Sequence, residues 1–131
     1  MDVNSFNYMP AEGLCVVTPY YNPCGYKTRY ENYLIFADSL RRSGIPLLTV
    51  ECAFGDQQFT LPDDLSVIKI RSNSLLWQKE RIIDLGVSWL PRSCKSIAWV
   101  DCDVLFENSN WAVDTVRLLE EFPLVQMFET C

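Results

Sequence analysis

Gly13-Leu14-Cys15-Val16-Val17-Thr18 and Pro46-Leu47-Leu48-Thr49-Val50, with the stretch that joins them, decide the fold. Each is a short apolar run without polar alternation, the pattern of a strand buried on both faces. Pro19 stops the first run. The next residues, 20–27, hold Asn22, Pro23 and Gly25 and read as a loop. Tyr30, Tyr33, Leu34, Ala37 and Leu40 then fall at helical spacing. They predict an amphipathic helix over residues 28–42, with Arg41 and Arg42 in its last turn and Gly44 just beyond. Strand, helix and strand in so short a stretch form a βαβ unit, so the sheet is expected to be parallel.

Working outward, residues 1–12 read as an irregular lead-in, and Glu51 lies at the carboxyl end of the second strand. Residues 54–64 are a loop with Gly55 and Pro62. Ser66-Val67-Ile68-Lys69-Ile70-Arg71 reads as a third strand. Leu76, Ile82, Ile83, Val87 and Leu90 mark a second helix that Pro91 stops. Ile97-Ala98-Trp99-Val100 is a fourth strand running straight into Asp101. Trp111, Val116 and Leu119 suggest a third helix capped by Asn110 or Ser109. The run Leu124-Val125-Gln126-Met127-Phe128 suggests a fifth strand. The expected class is α/β, a mostly parallel Rossmann-like sheet with helices on both faces, built from residues 1–131 as one domain.

Composition narrows the function. Of 131 residues, 49% are hydrophobic, enough for a real core and against disorder. The formal charge is −6 with no histidine, which argues against nucleic acid, whose phosphates call for clustered Lys and Arg. No run reaches the ~20 apolar residues of a membrane span, and Met1-Asp2-Val3-Asn4 is not a basic leader. The six cysteines include no CxxC pair, so zinc is a poor fit. Cys15 and Cys52 sit in apolar runs and read as small core residues. Reduced thiols in a cytoplasmic protein are the expectation.

Ligands of such sheets bind at the carboxyl ends of strands. Three of those ends carry polar groups: Thr18-Pro19-Tyr20, Glu51 and Asp101-Cys102-Asp103. In extended chain, residues i and i+2 point the same way, so Asp101 and Asp103 aim at one spot. Two like charges that close repel unless a cation lies between them. A hard ion, Mn²⁺ or Mg²⁺, suits two carboxylates, with a diphosphate and water completing its shell. An acidic protein would thereby bind an anion through a metal bridge. Trp77, Trp99 and Trp111 read as core aromatics.

Trp77-Gln78-Lys79-Glu80-Arg81, Leu90-Pro91, Ala98-Trp99-Val100-Asp101-Cys102-Asp103, Phe106-Glu107-Asn108 and Trp111 together resemble bacterial and viral glycosyltransferase-like proteins of the GT-A superfamily. Val17-Thr18-Pro19-Tyr20-Tyr21-Asn22-Pro23 is similar to the first strand and loop of that group. The resemblance spans residues 13–128. It implies a UDP- or GDP-sugar donor, a divalent metal and an acceptor hydroxyl of unknown identity. Thr18, Pro19 and Tyr20 match a first-strand turn against the base and ribose. Glu51 matches an acidic residue that bonds base or ribose, and Lys79 a basic residue near the diphosphate. Asp101 matches the carboxylate that contacts the ribose or reaches the metal through water, and Asp103 the direct metal ligand. The resemblance covers the nucleotide-binding half of such enzymes; the acceptor site, the catalytic base and a further metal ligand, commonly histidine, have no counterpart here. Two other readings stand beside it. One is a binding or assembly module with the same fold and no catalysis. The other is a haloacid-dehalogenase-like phosphatase, which also places DxD after an apolar strand. A dinucleotide-binding domain is disfavoured because no GxGxxG follows the first strand.

Overall fold

The computed structural model describes residues 13–74, 76 and 78–128. Its elements run β1 (Leu14–Tyr21), α1 (Lys27–Arg42), β2 (Leu47–Phe54), β3 (Val67–Ser72), α2 (Lys79–Ser88), β4 (Ser96–Trp99) and α3 (Trp111–Leu119). The four strands form one all-parallel sheet in the order β3-β2-β1-β4. The expected α/β, Rossmann-like class is what the chain adopts.

Alternation along β1 sorts its side chains between two cores. Leu14, Val16 and Tyr20 join Tyr33, Phe36 and Leu40 of α1 and Trp111 and Ala112 of α3 in one cluster. Tyr21, Val50 and Cys52 join Ile82 of α2 in the other. Helices therefore cover both faces, and β1 is buried along its whole length. Tyr33, Phe36 and Leu40, spaced at three and four residues, are the buried stripe of α1. Its end is a Schellman motif: the Ile45 amide donates to the Leu40 carbonyl (3.0 Å) and the Gly44 amide to Arg41 (3.0 Å). Gly44 takes φ 70°, which only glycine adopts freely, and Ile45 and Leu40 share the core beneath.

Four expectations are corrected. β1 runs through Pro19 to Tyr21 rather than stopping at Thr18. The parallel register Val17↔Trp99 makes the residue-19 amide the natural donor to the Val100 carbonyl, and proline has none. Thr18 Oγ1 donates to that carbonyl instead, at 2.6 Å. Pairing with β4 thus ends at Val17↔Trp99, before Pro19, while pairing with β2 continues to Tyr21↔Cys52. Glu51 lies within β2, not at its end, because the strand extends to Phe54. Trp99 is 53% exposed, since β4 is an edge strand; Trp111 is buried as expected, and Trp77 lies outside the described residues.

The fourth correction concerns the fifth strand: residues 124–128 form none. The crossovers β1–α1–β2 and β3–α2–β4 step in opposite directions over opposite faces, so they share one hand. A step outward from β4 over α3, which packs in the α1-side core, would have the other hand and is strongly disfavoured. Met127 packs against that core instead.

The thiols also differ from expectation. Cys15 is bonded to Cys94 (Cα–Cα 5.8 Å), while Cys24, Cys52 and Cys102 are free. The bond lies where the Lys95 and Ser96 amides both donate to the Gly13 carbonyl, at 2.8 and 3.0 Å. β1 and β4 are consequently tied at their amino ends and released from each other at their carboxyl ends.

Candidate metal and nucleotide site

The chain leaves β1 to one side for β2 and β3, then returns to the other side for β4. The point where strand order reverses is between the carboxyl ends of β1 and β4, which is where ligands of open α/β sheets bind. Pro19 keeps this crevice from closing by ladder bonds. Asp101-Cys102-Asp103 forms its β4 side.

Asp101 and Asp103 are exposed, and Cys102 between them is buried at 7% exposure. Burial first, and the Asp103 charge second, push the Cys102 thiol up to about 11. It therefore stays protonated and turned inward, a poor metal ligand. What faces solvent is a pair of carboxylates without soft donors, a set that fits a hard, oxygen-seeking cation. No group of three or more His, Cys, Asp or Glu side chains among the described residues could hold a metal. A cation at Asp101 and Asp103 would thus complete its shell from water and ligand oxygens, as Mg²⁺ commonly does.

Lys79 is brought to the same place. It is the first residue of α2, and its Nζ lies 2.5 Å from Asp101 Oδ1. Both side chains are partly exposed (33% and 58%), so the pair is worth little in water and exchanges readily. Lys79 and Asp101, 22 positions apart, are joined directly by the fold, as are Tyr20 and Glu51, register partners on β1 and β2.

The remaining candidates sit deeper. Thr18 is fully buried and its hydroxyl is committed to Val100. Pro19 is buried within the strand rather than on a turn. Tyr20 is 1% exposed; burial raises its pKa, and its hydroxyl accepts a long bond from Asn22 Nδ2 at 3.4 Å. Glu51 is 3% exposed, and its two carboxylate oxygens accept the Thr60 and Leu61 amides at 2.6 and 3.0 Å. Its carboxylate pins the 55–64 loop over the α1-side core, where Leu61 is buried.

Two residues at this edge were missed in the sequence. Arg29, in the first turn of α1, donates from Nη1 to the Tyr21 carbonyl at 3.2 Å. Its charge opposes the burial that raises the Tyr20 and Cys102 pKa values, so a cation lies near both groups at this edge. The signal was there: the first turn of α1 has Lys27 and Arg29 and no acid, an unusual choice at the positive end of a helix. Asn22, 7% exposed, clasps the loop by bonding both the amide and carbonyl of Tyr26 at 2.9 Å.

No family model, no curated protein and no solved structure matches this chain. No helix among the described residues is long and apolar enough to cross a membrane.

Proposed function

We propose that this chain binds a nucleoside diphosphate sugar, UDP- or GDP-linked, as the donor-binding part of a glycosyltransferase, through Mn²⁺ or Mg²⁺ held by Asp101 and Asp103. The observation that carries the reading is the placement of two exposed carboxylates and Lys79 at the sheet's switch point. Asp103 offers a free carboxylate, and Asp101 exchanges Lys79 for the cation. The displaced ammonium and Arg29 then supply positive charge for the diphosphate, which an acidic protein must provide locally. When bound, the metal neutralises charge that develops on the departing diphosphate. Buried Thr18, Pro19, Tyr20 and Glu51 serve in this reading by holding the crevice walls rather than by touching the ligand. The acceptor is a hydroxyl compound.

The test is calorimetric titration of UDP and then GDP, with and without manganese, on the wild type and on Asp103→Ala. Binding that requires both manganese and Asp103 is expected. A folded chain that binds neither nucleotide favours the non-catalytic assembly module. Metal-independent binding would move the diphosphate site to Lys79 and Arg29 alone.

A further inference from the structure

The two edges of the sheet are treated differently. On β3, Lys69 and Arg71 lie over the Phe59 ring at 5.5 and 4.5 Å. Arg71 also bonds the Gly55 and Gln57 carbonyls (2.9 and 2.6 Å), and Lys69 pairs with Asp63 at 2.7 Å. Charges and a covering loop are the usual guards against strand addition. The β4 edge, Ser96-Ile97-Ala98-Trp99, carries no charged residue, and no described residue hydrogen-bonds to it from the outer side.

In the parallel ladder Ser96, Ala98 and Val100 bond toward β1, as the Val100 amide does to the Val17 carbonyl at 3.1 Å. The amides and carbonyls of Ile97 and Trp99 therefore point outward, and no described residue pairs with them. An open groove of about 740 Å³ runs along this edge, with residues 123–128 on its far wall. That wall adds exposed Leu124 and Phe128. Met127 packs the segment against the α1-side core, and the hand of the crossovers keeps residues 124–128 from filling the edge as a parallel strand.

We propose that β4 pairs antiparallel with β4 of a second copy of this chain, about a two-fold axis at Ala98. Outward-pointing residues must face one another in such a pair, so this register sets Ile97 opposite Trp99 in the ladder and, beyond the strand ends, brings the side chains of Lys95 and Asp101 opposite each other. The pairing is self-complementary twice over. Exposed Trp99 is covered by Ile97 of the other copy, and the cation at the start of each edge meets the anion at its end. Lys95 is exposed and has no ion pair among the described residues. The sheet becomes eight-stranded, and each copy delivers its Lys95 to the other's Asp101.

The experiment is sedimentation velocity over a wide concentration range on a Cys24→Ser, Cys131→Ser background, which removes the exposed Cys24 thiol and the cysteine outside the described residues as sources of covalent dimers. Far-UV circular dichroism confirms that each variant is folded. The expected results are a reversible wild-type dimer and at least a tenfold rise in its dissociation constant for Trp99→Lys. Lys95→Glu and Asp101→Lys should each weaken it, and the double exchange should restore it. A folded wild type that is monomeric throughout overturns the proposal, as does a dimer indifferent to Trp99→Lys. A double exchange no better than the single ones overturns the register. None of these readouts depends on nucleotide binding.

Discussion

Reducing the Cys15–Cys94 bond should cost this chain a large share of its stability while leaving its sheet order unchanged. The two cysteines are 79 positions apart, so the bond closes most of the described chain into one loop. The chain-entropy relation for a loop of that length gives about 4.5 kcal/mol at room temperature, through restriction of the unfolded chain. A domain of this size has roughly 5–15 kcal/mol in all, so reduction should remove about a third of it or more. The native contacts around the bond are not lost with it. The Gly13 carbonyl still receives the Lys95 and Ser96 amides, and β1 keeps its pairing to both neighbours. In urea, with a slope of about 1–3 kcal/mol per molar, the midpoint should fall by at least about 1.5 M on reduction. Cys94→Ala should reproduce the fall without a core cavity, because Cys94 is only partly buried whereas Cys15 is 7% exposed. Intact mass with and without reductant establishes whether the bond is present. A midpoint that moves by less than a few tenths molar, in a protein whose mass shows the bond, would refute the entropic account. A mass unchanged by reductant would refute the bond itself.

Three further outcomes follow from packing and charge. A methyl added at Gly86 would lie 2.7 Å from Val17 Cγ1 and 3.0 Å from Val50 Cγ2, two fully buried side chains. Gly86→Ala should therefore destabilise by up to about 2 kcal/mol, overpacking outweighing the ~1 kcal/mol gain in helix propensity, and Val17→Ala should relieve it in a double-mutant cycle. Cys102 holds its proton to about pH 11, above its ordinary value of 9.0. Its share of stability is complete below about pH 9 and is lost as pH rises toward 11, at most about 2–3 kcal/mol, so the alkaline limb of urea midpoints should be flatter in Cys102→Ala. Glu51→Ala should cost about 2–3 kcal/mol in urea unfolding, because it orphans the buried Leu61 amide, while Glu51→Gln, which keeps one acceptor oxygen, should cost less; equal costs would count against the paired-amide reading.

The class of this protein was readable because local signals agreed. The apolar runs at 14–18 and 47–50, the three-and-four spacing of Tyr33 and Leu40, and Gly44 after two arginines each point to the same βαβ unit, and the unit formed. The DxD after the fourth strand was legible as a motif, but β4 ends at Trp99 and Cys102 and Asp103 lie in a turn, so the two-residue strand period that set both carboxylates on one side does not extend to them. What the sequence misplaced was whatever depended on a neighbour. Whether Pro19 ends a strand depends on which side of it lacks a partner, and only the sheet order shows that the missing donor faces β4. Glu51 read as a strand end because polar residues follow it, yet the loop returns to bond its carboxylate from nine and ten positions away.

Residues 124–128 have the composition of a strand and no parallel place beside β4 of the favoured hand, because handedness is a property of the whole crossover and not of the segment. The pairing of Cys15 with Cys94 and of Lys79 with Asp101 also required the tertiary structure. Sequence determined what each segment could become, through side-chain period and backbone preference acting over a few residues. The tertiary structure decided which surfaces met, because strand order, register and crossover hand are settled only when distant segments compete for the same edges and faces.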